Sequence, residues 1–96
     1  MKLTELKAIQ LAELFSALSD ASRVRIISRL IEGEMSVSAL AEGLKMTESA
    51  VSHQLRGLRQ MRLVRTRKEG RQVFYALEDD HVLKLYSLGL DHVEHG

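Results

Sequence analysis

The chain has 96 residues, 45% of them hydrophobic and 28% charged, with no cysteine, proline or tryptophan. That describes one small domain with material for a core, and it excludes a disulfide framework. The formal charge is only +1, yet residues 56–71 carry seven basic residues (Arg56, Arg59, Arg62, Arg65, Arg67, Lys68, Arg71) against one acid, Glu69. The rest of the chain is acidic. Such a block is either a solvated surface or an anion-binding face, and its density favours nucleic acid.

The chain opens on "MKLTELKAIQLAELFSAL", with Leu6, Ile9, Leu14 and Leu18 at helical spacing. Glu5, Lys7 and Glu13 interrupt that stretch, which excludes a signal-peptide core and a membrane span. A cytoplasmic protein is the expectation. Ser19 or Asp20 caps a second helix, in which arginines alternate with Val24, Ile26, Ile27, Leu30 and Ile31 up to a stop near Gly33. A short helix in "SVSALAEGL" follows, then a bend at Lys45-Met46 and a longer helix capped by Thr47. Val51, Leu55 and Leu58 form the inward stripe of that longer helix.

The period then changes. "LVRTRKEGRQVFYAL" sets β-branched and aromatic residues on either side of Glu69-Gly70, the pattern of a hairpin with glycine at its tight turn. Asp79 or Asp80 opens a last helix whose apolar face is Val82, Leu85, Leu88 or Gly89, and Val93. No repeat or linker appears, so residues 1–96 read as a single domain. Its order is four helices, a hairpin and a final helix.

Two consecutive helices and a basic hairpin describe a winged helix-turn-helix, with Ala41 small where the helices cross and Leu40, Leu44, Met46 and Val51 packing the pair. If the longer helix enters the major groove, Glu48, Ser49, Ser52, His53, Arg56 and Arg59 face outward. The expected DNA contacts are Thr47, Ser49, Ser52, His53 and Arg56 on that helix. In the wing they are Arg67, Lys68 and Arg71. A hairpin kept soluble by charge is the rival reading of the wing. Its place directly after the reading helix favours DNA.

Three of the four histidines, His81, His92 and His95, fall in the last helix. His81 and His92 are eleven residues apart, so they share a face but lie roughly 16 Å apart along the axis. They cannot hold one metal ion within one chain. His92 and His95 can share one, and so can Asp79 and His81. Pairing the helix antiparallel with a second copy would unite these halves into two sites of three imidazoles and a carboxylate. That donor set suits Zn(II), with Co(II) as its substitute, while the lack of thiolate argues against Cu(I), Cd(II), Pb(II) and arsenite. Asp91 and Glu94 are competing ligands. On spacing alone such a cluster is more often a solvated helix end whose imidazoles favour the dipole than a metal site.

These residues resemble the ArsR/SmtB family of bacterial metal-sensing repressors from about Leu14 to His95. "ALSDASRVRIISRL" is similar to its second helix, "ESAVSHQLRGLR" to its reading helix and the hairpin to its wing. Asp79-x-His81 with His92-x-x-His95 resembles the last-helix pattern of its zinc-sensing members. Where many members carry a Cys-Val-Cys motif, this chain has Ser36 and Ser38, which implies no thiolate site. The resemblance implies a mainly α winged helix-turn-helix, homodimeric through its first and last helices. It also implies a repressor that binds a palindromic operator and releases it on binding zinc, controlling zinc efflux or sequestration genes. In that picture the second ring nitrogen of His92 bonds a backbone carbonyl around Arg62, just past the reading helix.

Two rival classes remain: a winged-helix regulator of the same fold with no metal control, and a zinc enzyme or metal buffer. A catalytic zinc needs an open coordination position and a general base. Four ligands on a paired helix leave little room for either, so no enzyme is expected.

Overall fold

A computed structural model describes residues 2–96. It contains α1 (Glu5–Ala17), α2 (Ala21–Leu30), β1 (Met35–Ser36), α3 (Val37–Leu44), α4 (Glu48–Gln60), β2 (Val64–Glu69), β3 (Gln72–Leu77) and α5 (Asp80–His95). The architecture is the expected mainly helical winged helix-turn-helix, with one addition. The wing is a three-stranded antiparallel sheet in the order β1-β3-β2, because Met35 and Ser36 pair with Tyr75 and Phe74. Two residues are too few to show a period of two, and Ser36 also serves as a helix cap, so nothing in the sequence marked this strand.

Each helix begins where a short polar side chain can accept a hydrogen bond from an otherwise unpaired backbone N–H. Thr4 accepts from Lys7, Asp20 from Ser22, Ser36 from Ala39, Thr47 from Ala50 and Asp79 from His81. Between α3 and α4 the chain turns in three residues. Lys45 takes the left-handed conformation there, at φ 57°, and Met46 N–H returns a bond to the Ala41 carbonyl. Gly70, at φ 61°, is the first residue of the two-residue hairpin turn between paired Glu69 and Gln72.

The core lies where α2, α3 and α4 meet the base of the wing. Ile26, Leu40, Val51, Leu55 and Leu58 are wholly buried, joined by Ile27, Leu30, Leu44, Leu63, Val64 and Val82. At about 1.5–3 kcal/mol for each large aliphatic side chain removed from water, this cluster is the main source of stability. Two α2 arginines fasten the helices around it. Arg25 donates to the Leu44 carbonyl at the end of α3 (2.9 Å). Arg23 donates to Gln54 Oε1 on α4 (2.7 Å) and to the Ala17 carbonyl at the end of α1 (3.1 Å). Gln54 in turn donates to Asp20 (2.9 Å). Gly57 lies under this bracket: a Cβ there would come within 2.9 Å of the Arg23 guanidinium.

Candidate DNA-reading surface and histidine cluster

The surface of α4 opposite its buried stripe exposes Ser49, His53, Arg56 and Arg59, with Ser52 half-buried beside them. Thr47 heads the same helix. Its Oγ1 accepts from the Ala50 N–H at 3.0 Å, and its own hydroxyl proton stays free to donate. A helix N-terminus that presents short hydroxyls, followed by guanidinium groups further along, offers donors to phosphates and to base edges. These groups stand together as the sequence spacing implied.

The wing continues the basic surface, but its three expected contacts are not equivalent. Lys68 and Arg71 are exposed around the turn and have no ion-pair partner among the described residues. Arg67 is engaged. Its Nη2 and Nε donate to Glu34 at 2.6 and 3.2 Å, and its Nη1 donates to Glu69 at 2.5 Å. Its guanidinium also rests 4.9 Å from the centre of the Phe74 ring. Sequence reasoning missed Glu34, because thirty-three positions separate it from Arg67.

At the start of α5, Asp79 and His81 come together. Asp79 Oδ1 accepts the His81 backbone N–H at 2.9 Å, and Oδ2 lies 3.5 Å from His81 Nδ1. At the other end, His92 and His95 lie one turn apart. Nδ1 of His95 faces the Asp91 carboxylate at 3.0 Å and the Asp91 carbonyl at 3.2 Å. A carboxylate so placed can fix the orientation of the His95 ring through Nδ1. Among the described residues of one chain, no group of three or more His, Cys, Asp or Glu side chains gathers as a metal site. Arg62 follows the C-cap of α4 in the left-handed conformation at φ 58°. Ser36 and Ser38 lie 3.2 Å apart, oxygen to oxygen, with Ser36 capping α3.

The helices that frame this cluster leave apolar surface uncovered. Leu6, Ile9 and Phe15 of α1 and Leu88 and Val93 of α5 are all more than half exposed. An open groove of about 520 Å³ runs between α1, α2 and α5, lined by Phe15, Val24, Leu85, Tyr86, Leu90 and Val93 among others. No helix among the described residues is long and apolar enough to cross a membrane.

The sequence profile of bacterial regulatory proteins, arsR family, matches residues 20–66. Over 88 residues the chain is 52% identical to the transcriptional repressor SmtB homolog of Synechocystis sp., covering 92% of this chain and 67% of that protein. It is 43% identical over 88 residues to the HTH-type transcriptional regulator NmtR of Mycobacterium tuberculosis, covering 92% and 73%. The fold is similar to that of a homodimeric winged helix-turn-helix DNA-binding domain from Mycobacterium bovis, a possible ArsR-family transcriptional regulator. That match has a TM-score of 0.85 at 29% identity, over 99% of this chain and 92% of the other.

Proposed function

Because the chain belongs to the bacterial arsR family of regulatory proteins, DNA-binding transcription regulators and not enzymes, we propose that it is a zinc-responsive repressor. The metal-free homodimer binds a palindromic operator. Zinc held between the last helices weakens that binding and derepresses genes for zinc efflux or sequestration.

The observation that carries this reading is the divided ligand set: Asp79 with His81 at one end of α5, His92 with His95 at the other. Neither half is a site, and the exposed apolar faces of α1 and α5 supply a reason for a second copy to bring them together. The donors suit the ion, being imidazole and carboxylate without thiolate. Asp79 and His81 of one protomer and His92 and His95 of the other would hold it, with Co(II) as a substitute.

Linkage supplies the mechanism. If zinc prefers a dimer whose reading helices are badly spaced for DNA, it must weaken DNA binding by the factor by which DNA weakens zinc binding. A bond from His92 to a carbonyl near Arg62 would join the metal site to the end of α4. The Arg23 bracket, which ties α4 to α1, would carry the shift onward.

The test is binding to duplex from upstream of the protein's own reading frame, with Zn(II), Co(II) and Ni(II) titrated in parallel. Zinc should weaken binding roughly 5- to 150-fold. His92→Ala should bind the metal-free duplex as before and lose the zinc response; undiminished release by this variant would overturn the site. One observation favours a regulator without metal control: Asp79 already caps α5 and Asp91 already pairs with His95. Failure of the dimer to bind micromolar zinc would establish that reading instead.

A further inference from the structure

Strand register places one acid among the wing's cations. Ser36 and Arg67 both pair with Phe74, and Arg65 pairs with Ala76. Alternation along the strands then puts Arg65 and Arg67 of β2, Phe74 and Ala76 of β3, and Glu34 just before β1 on one outward face. These side chains line a single shallow cleft with Thr66. From the far side of β3, Glu34 reaches Arg67 with both carboxylate oxygens, at 2.6–3.2 Å. The Arg67 hydrogen bonds lower the Glu34 carboxyl from its ordinary pKa. With Glu69 on Nη1, all three guanidinium nitrogens have a carboxylate partner.

We propose that Glu34 limits the affinity of the DNA-binding surface, by holding Arg67 as an intramolecular counterion so that, of the three cations flanking the wing's turn, Lys68 and Arg71 meet the phosphate backbone and Arg67 does not. The inference rests on the DNA-binding reading above and adds a residue to it. Side chains that are 40–49% exposed form an ion pair that does little for the fold. Beside a polyanion the same pair matters more, because each phosphate neutralised adds about 0.9 to the salt slope of binding. It also has a use. A ligand coupling of about 5- to 150-fold can empty an operator only if the starting affinity is moderate.

The experiment measures binding to a random-sequence duplex as a function of KCl for wild type, Glu34→Gln, Arg67→Gln and the double variant. Both substituted positions are exposed, and circular dichroism checks that each variant is folded. Glu34→Gln should tighten binding and steepen the log–log slope by about 0.9, one phosphate contact. Arg67→Gln alone should leave the slope unchanged, and the double variant should return to it. A flatter slope in Arg67→Gln alone would show that Arg67 already contacts phosphate, which overturns the proposal. So would a Glu34→Gln gain that survives in the double variant, since it would then be a general charge effect. If no variant shows salt-dependent binding, the DNA-binding reading itself fails and the proposal with it.

Discussion

In α4, Val51, Leu55 and Leu58 are wholly buried by the rest of their own chain, whereas in α5 only Val82 is buried, and Leu88 and Val93 stand 71% and 80% exposed. Both helices carry an apolar stripe at the same spacing. The first finds α2, α3 and the base of the wing to pack against. The second is covered at Val82 but open to water at Leu88 and Val93, as α1 is at Leu6, Ile9 and Phe15. The unit that reads DNA is therefore complete in one chain, while the frame that would sense the signal is left unfinished along its helix faces and in its ligand sets. A regulator gains from this division: a rigid reading unit keeps its shape, and a signal acts by changing how two such units are spaced.

Substitutions can separate the two halves. The largest effect should come from the finished one. Leu55→Ala opens a cavity in a fully buried site and should cost about 2–5 kcal/mol of folding stability in urea denaturation; a loss below about 1 kcal/mol would show that α4 is not anchored as described. Next, Leu88→Glu should leave the helical circular dichroism intact yet weaken dimerisation by at least about 2 kcal/mol, read by sedimentation equilibrium. Unchanged association would move the dimer contact away from α5. The smallest effect sits at the entrance to α4. Thr47→Ala removes the cap on the Ala50 N–H and should lower stability by about 1 kcal/mol in urea denaturation.

Local features were legible residue by residue. The caps at Thr47 and at the start of α5, the hairpin turn at Gly70 and the inward stripe of α4 all follow from rules that act within four or five positions. The neighbouring pairs Asp79 and His81, and His92 and His95, were legible for the same reason, since each spans no more than four residues. The bracket of Arg23, Gln54 and Asp20 was not, because its partners lie 31 and 34 positions apart. In sequence, the α2 arginines look like an ordinary solvated face. Arg67 shows the cost of that blindness: sequence counted it with Lys68 and Arg71 as one free cation among three.

The sequence by itself determined the five helices and the hairpin, and which residue types are available for DNA and for metal. These follow from backbone hydrogen bonding and side-chain period, which are local. Only the tertiary structure decided that Met35 and Ser36 extend the wing to three strands, that Arg67 is neutralised from across the sheet, and that α1 and α5 keep their apolar faces unburied. Those outcomes depend on which surfaces meet when the chain closes, and burial and ion pairing between distant positions are settled only there.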